Sequence, residues 1–356
     1  MISEQAKDYL LVELTQMSKN IEEKYEDRIS NNPFAPFQNS NSQIIKYMSL
    51  GRSFDSQLGG RIQRVCMFMA RERFGKDNVP NFIFITVDKS DVEMYMFSYP
   101  DDFVKDFEID EYKTQKVFKI ENEDQIVERI YRQINNAAKN IFKSEHKITT
   151  ISKKFKDDFA KYETELRTRI RSSLVKYTFT DCSKTDIAAI KNTFEPKPKN
   201  GGKPQKKNKT KKEILIDLLY IDAGNIFAYE IKISGGLDTK NRESNADEVI
   251  RIQDLFSFWG AGKVNSYFAG CYNSAGGDDG VSAIKSEDGV LFRGTKKPGG
   301  PMYDIVSVRP EMSERIIVGS VFREKILPIT VSYSDFIKAY QEAFKASKIE
   351  DIIVRL

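Results

Sequence analysis

The chain has one histidine, one tryptophan and three cysteines in 356 residues, and each scarcity removes a class of chemistry. A structural zinc centre needs Cys and His ligands in sets of four at short spacings. His146 lies alone in the polar run KSEHK and reads as a solvated surface residue, while Cys66, Cys182 and Cys271 are scattered without any CxxC. A serine triad would have to rest on His146, and nothing around it resembles a nucleophile elbow. An odd number of dispersed cysteines suits a reducing compartment rather than a disulfide framework. No run approaches the roughly 20 apolar residues of a membrane helix. The opening MISEQAKDYLLVELTQ carries acids where an export signal would carry basic residues, so the expected location is cytoplasmic. Acid–base chemistry, if present, falls to carboxylates and lysines.

What the chain does have is 40% hydrophobic and 30% charged residues, enough for a globular fold with a sizeable core. The net charge of +4 is too small to define a partner, but its distribution is uneven. Lys197, Lys199, Lys203, Lys206, Lys207, Lys209, Lys211 and Lys212 crowd the segment EPKPKNGGKPQKKNKTKK. Rich in Pro, Gly and Asn, it cannot bury apolar surface, so residues 195–212 are expected to form a basic flexible loop. It reads equally as a solvated linker or as a grip on a polyanion.

Periodicity organises the rest. Leu10, Leu11, Leu14, Met17 and Ile21 mark an amphipathic helix over residues 4–29, followed by the breaker NNPFAPFQNSNS. Leu58, Ile62, Val65 and Met69 predict a second helix over 56–73, with Asp55 or Ser56 placed to cap it. FIFITV and EMYMFSY read as strands around the turn DKSD, and residues 124–176 as mostly helical with a break near HKITT. Later, ADEVIRIQDLFSFWG predicts a helix and VNSYFAGCY a buried strand. The tail predicts strands at RIIVGSVF and LPITVSY and a helix over 334–346. Phe256, Phe258 and Trp259 fit a helix packed on a sheet better than a base-stacking platform. Strands and helices alternate, which is the pattern of an α/β core with added helices.

The strongest local signal is EILIDLLYIDAGNIFAYEIKI, two apolar runs around the turn DAGN. With Ala223 and Gly224 at the tip, Asp222 pairs with Asn225, and paired residue numbers keep a constant sum down the ladder. That register sets Asp217 opposite Glu230, with Cβ atoms about 5 Å apart. Strict alternation adds Lys232 to the same face. Two carboxylates and an ammonium thus converge on a hairpin otherwise made of Ile214, Ile216, Leu218, Phe227, Tyr229 and Ile231. Facing carboxylates repel, and a divalent cation removes that penalty. Hard oxygen ligands suit Mg²⁺, held by Asp217 and Glu230 with the carbonyl of Ile231. Lys232 would then orient or deprotonate a water and neutralise charge on a phosphate. The plain alternative is a charged surface face on an edge hairpin, since E-x-K alone recurs by chance.

Asp217 with Glu230-Ile231-Lys232 resembles the PD-(D/E)xK nuclease signature, with Ile216 standing where the family has proline. SLGRSFDSQLGGRIQRVCMFMAR (Ser49 to Arg71) resembles the helix that opens the core of many type II restriction endonucleases. KISGGLDTKNRES and YFAGCYNSAGG resemble the loop after their catalytic lysine and their next core strand, with similarity to the TdeIII-type family. The resemblance implies an α/β fold, a restriction-endonuclease-like core whose mixed central sheet is flanked by helices, with added N-terminal and inserted helices. It implies a type II restriction endonuclease that hydrolyses double-stranded DNA at a short specific site with Mg²⁺. A homodimer and a cognate DNA methyltransferase as functional partner come with it. The expected organisation is a helical arm at 1–45 and a nuclease domain at 46–356, with a helical insertion at 121–176 and the catalytic core at 213–273.

Further candidates follow from that resemblance. Gln63 would face the water, and Arg52, Arg61 and Arg64 are candidate phosphate contacts. Gly59 and Gly60 each cost a helix about 1 kcal/mol relative to alanine, so they are expected to permit a close approach, by DNA or by another helix. Asp55 is a possible extra acid, though capping suits it better. Lys240, Arg242 and Arg251 could meet phosphates or form an ordinary solvated helix start. Asn273 and Lys296, in glycine-rich loops, could reach base edges. Two other functions fit the same residues: a structure-specific repair or junction nuclease, and a DNA-binding protein that cuts nothing. The long stretch before the hairpin favours a site-specific reader, which needs extra surface.

Overall fold

A computed structural model describes residues 2–30, 42–145, 162–194, 213–234, 242–272 and 309–351. The protein is mixed α/β, with mixed sheets flanked by helices. It divides into two compact units. The first comprises Met1–Arg73, Tyr229–Val249 and Tyr267–Leu356, and the second Phe74–Ala228 and Ile250–Ser266. The expected arm–domain boundary at residue 45 falls inside a helix of the first unit. Among the described residues no helix is long and apolar enough to cross a membrane.

The second unit is organised by a five-stranded sheet. Its strands are β1 (Phe82–Asp88), β2 (Asp91–Phe97), β3 (Gln115–Lys119), β4 (Leu174–Phe179) and β5 (Ile214–Ile216), in the order β4-β2-β1-β3-β5. β1 and β3 are parallel, and the other neighbours antiparallel. Side chains alternate across a strand, so the two faces collect different residues. Phe82, Phe84, Tyr95, Phe97 and Phe118 build an aromatic face, with Phe84 and Phe118 stacked at 5.3 Å. That face is covered by α3 (Asp101–Asp106), α4 (Glu123–Glu145) and α5 (Glu163–Ser172) through Phe103, Ile126, Ile130, Ile134, Leu166 and Ile170. Ile83, Ile85, Met94, Met96 and Val117 build an aliphatic face. Against it pack α6 (Lys184–Phe194), with Ile187 and Ile190, and the residues of the DAGN hairpin belonging to this unit, with Leu219, Ile221 and Ile226.

In the first unit, α1 (Glu4–Ser30) starts at Ser3, whose hydroxyl accepts from the Ala6 amide at 3.2 Å. Its stripe of Leu10, Leu14, Met17 and Ile21 is buried as the periodicity requires. Tyr9 stacks on Phe68 of α2 (Ser42–Phe74) at 4.5 Å. A second sheet has the strand order β6 (Leu218–Asp222), β7 (Asn225–Ser234), β8 (Val264–Tyr272), β9 (Ile316–Val318), β6 belonging to the second unit and β9 to the first, with β8 and β9 parallel. The helix α7 (Arg242–Leu255) precedes β8, and α8 (Gly319–Ile326) and α9 (Tyr333–Ala346) follow β9. On α8, Arg323 is buried, and its guanidinium donates to Cys66 Sγ at 2.9 Å between the rings of Phe322 and Phe336.

Several expected boundaries move. α2 begins at Ser42, so neither Asp55 nor Ser56 caps it; Ile44, Ile45, Met48 and Leu50 carry apolar residues at helical spacing back beyond the expected start. The helical reading of 124–176 ends early, because Val175, Tyr177 and Phe179 alternate onto the aliphatic face as part of β4. RIIVGSVF is not one strand: Gly319 adopts φ 56 and turns β9 into α8. LPITVSY is not a strand at all. Pro328 removes a ladder donor, and Ser332 caps α9 by accepting from the Asp335 amide at 3.1 Å.

The glycine pair in α2 has no close packing partner among the described residues. A Cβ on Gly59 would meet only Ile233 Cδ1 at 3.8 Å, an ordinary contact, and one on Gly60 would meet nothing within 4 Å. No packing within the described residues requires either glycine. Gly60→Ala is therefore expected to raise stability by about 1 kcal/mol through helix propensity alone, read by denaturant melts. A loss of stability would show that this surface is covered.

Candidate active site

The site begins at the turn. Ala223 and Gly224 take φ 47 and φ 75, the two left-handed residues of a type I′ hairpin, as the DAGN reading requires. The tip is held from outside by the only tryptophan: Trp259 Nε1 donates to the Gly224 carbonyl at 2.8 Å, and the Ile226 amide donates to the Lys263 carbonyl at 2.8 Å. Trp259 is buried beside Tyr177 and Phe179, each 5.0 Å away, which confirms its place in the core.

The first hairpin strand differs from its expected form. It is not continuous but bends at Asp217, between β5 and β6. Up to Ile216 the chain pairs with β3, where Ile216 lies opposite Gln115; beyond the bend it joins the second sheet. Asp217 is half-buried at this change of partner. Gln115 is fully buried and grips the chain beyond the bend as well. Its Nε2 donates to the Leu219 carbonyl at 2.9 Å and to the Pro80 carbonyl at 2.5 Å, and its Oε1 accepts from the Leu219 amide. Sequence reasoning passed over Gln115, because an uncharged amide in TQKVFK belongs to no motif.

Glu230 and Lys232 belong to the first unit, and Asp217 to the second. Along β7, Tyr229 and Ile231 are buried while Glu230 and Lys232 are half-buried, so the acid and the lysine share one face and the apolar pair the other. Tyr229 stacks on Tyr267 at 5.6 Å and packs against Phe322 at 5.5 Å, which fixes the strand from its apolar side. On the polar face, Lys232 Nζ donates to Glu230 Oε1 at 2.6 Å. The Glu230 side chain is 14% exposed and that of Lys232 35%, so this pair is neither buried nor freely solvated. Gly59 of α2 approaches Ile233 of the same strand, and Gln63, one helical turn on, is half-buried on the same helix face.

The arginines of α2 divide. Arg61 donates to Glu13 at 2.7 Å, and Arg64 lies 3.5 Å from the same carboxylate, whose side chain is only 7% exposed. Glu13 on α1 is buried and these cations hold it; the Arg61 side chain, 12% exposed, has little surface left to offer a phosphate. Sequence reading missed the partnership because it joins residues of two helices. For Arg52 and Arg242 only the helical backbone is described. Lys206, Lys207, Lys240, Asn273, Lys296 and His146 lie outside the described residues.

Among the described residues no three His, Cys, Asp or Glu side chains cluster as a metal centre; the sequence-derived oxygen donors are Asp217 in the second unit and Glu230 with the Ile231 carbonyl in the first. Two carboxylates and a carbonyl are hard oxygen donors that suit Mg²⁺. No protein-family model, curated protein or solved structure matches the chain.

Glu13→Gln would leave a guanidinium with a neutral partner in a confined site. It is expected to cost about 3 kcal/mol in a denaturant melt. A change under about 0.5 kcal/mol would free Arg61 and Arg64 for another role.

Proposed function

We propose that the protein is a Mg²⁺-dependent type II restriction endonuclease with a PD-(D/E)xK core, cutting double-stranded DNA at a short specific site. The observation that carries this reading is the Glu230–Lys232 pair, carboxylate and ammonium 2.6 Å apart on one face of β7. It stands on a strand that follows the tight turn at Ala223–Gly224. A surface ion pair of this kind contributes little to stability by itself, so its confinement on a strand backed by buried aromatics asks for another explanation.

In this reading Asp217 and Glu230 hold the cation, with the Ile231 carbonyl as a neutral ligand. Mg²⁺, when bound, supplies charge neutralisation for the scissile phosphate and acidifies a water. Lys232 now spends its charge on Glu230. In the presence of the cation, Lys232 would orient the attacking water and balance charge growing on the phosphate. Gln63 accepts from or donates to that water. The basic stretch at 195–212, together with Arg52, Lys240, Arg242 and Asn273, supplies phosphate and base contacts. Two such sites related by a dyad would cut both strands, so the working form is a homodimer, and a cognate DNA methyltransferase in the cytoplasm would shield the host DNA from it.

The test is cleavage of a long plasmid with and without Mg²⁺, beside Lys232→Ala. Discrete fragments are expected only with Mg²⁺ and an intact lysine, and the variant should lose at least about 100-fold in rate. A smear would move the protein to the repair or junction class. Uncut DNA under every condition, with salt-sensitive binding retained, would overturn catalysis and leave a DNA-binding protein.

A further inference from the structure

We propose that Gln115 is a positioning residue for Asp217, an inference that rests on reading Asp217 as a metal-holding carboxylate. A residue at a bend between two strands has no ladder of its own to orient it. Part of its direction comes from what holds the chain on either side. Here one residue contributes to the hold on both sides. Before the bend, Ile216 pairs with Gln115 through the β3–β5 ladder. After the bend, the Gln115 amide both accepts from the Leu219 N–H and donates to the Leu219 carbonyl, as a neighbouring strand would. The second amide hydrogen goes to the Pro80 carbonyl at 2.5 Å, which anchors the side chain to the segment leading into β1.

The demand is specific. The position needs one acceptor and two donors in a plane, at the length of a glutamine, and it is fully buried, so water cannot replace a lost partner. Ionised glutamate only accepts. Methionine fills similar space and offers neither donor nor strong acceptor. Ligation tolerates little displacement of a carboxylate, so loosening residues 216–219 should be felt at Asp217 without touching it.

A double-mutant cycle on the full chain separates positioning from simple support. Wild type, Gln115→Met, Asp217→Asn and the double variant are compared by Mn²⁺ titration with electron paramagnetic resonance, alongside thermal melts. Positioning requires that Gln115→Met weaken Mn²⁺ binding about tenfold or more. It also requires that the same change cost nothing further once Asp217 is asparagine, while the melting temperature drops equally in both backgrounds. Should Gln115→Met not fold, Gln115→Glu supplies the readout. A buried carboxyl is protonated and keeps the acceptor but only one of the two donors, so Mn²⁺ affinity should again fall below wild type, and no further once Asp217 is asparagine. An unchanged Mn²⁺ affinity in Gln115→Met, or in Gln115→Glu where the first variant does not fold, or losses that add, would each overturn the role of Gln115 alone. Wild-type protein that binds no Mn²⁺ would overturn the reading of Asp217 and this inference with it.

Discussion

A single buried amide joins two patterns of main-chain hydrogen bonding in the second unit. The ladder between β3 and β5 stops at Ile216, and the chain then needs a partner for the exposed edge of β6. Gln115 provides it, taking both polar groups of Leu219. Without it the edge would present a buried donor and a buried acceptor, each costing roughly 1–3 kcal/mol. The hairpin can therefore leave one sheet and enter another without passing through water. Trp259 completes the restraint at the opposite end by holding the Gly224 carbonyl. Between these two fastenings the hairpin residues of this unit have little freedom left.

The sheet beneath the hairpin divides labour between its faces. Aromatic side chains on one side take up the large volume under α3, α4 and α5, where stacked and edge-on rings fill space with few rotamers. Smaller branched and unbranched chains on the other side leave room for a strand hairpin to lie close. The DAGN hairpin is thus laid on the aliphatic side, where Leu219, Ile221 and Ile226 join Ile83, Ile85 and Met94 in one core. In the first unit a different solution appears: Tyr229, Tyr267 and Phe322 back the strand that carries Glu230 and Lys232.

Much of this was legible because it is local. The DAGN turn, the stripe of α1, the β1–β2 pair and the alternation of β8 are each written within one window of sequence. That Glu230 and Lys232 share one face was reachable for the same reason, since alternation runs along a single strand. What could not be read depends on partners distant in sequence. The bend at Asp217 exists because β5 and β6 pair with different strands, and nothing in EILIDLLYID marks the change. Glu13 and Arg61 look like ordinary surface charges until two helices meet. Ser332 and Gly319 carried readable cap and turn chemistry, but the apolar residues around them imitated strands.

The indole that fastens the hairpin tip is also the only one in the chain. Fluorescence excited at the red edge of protein absorption therefore comes from one known place. Its emission wavelength reports whether that corner is dry, and its quenching reports who has arrived there. The molecule has a built-in optical gauge seated on the loop end of the DAGN hairpin, and events at that end can be timed without attaching any label.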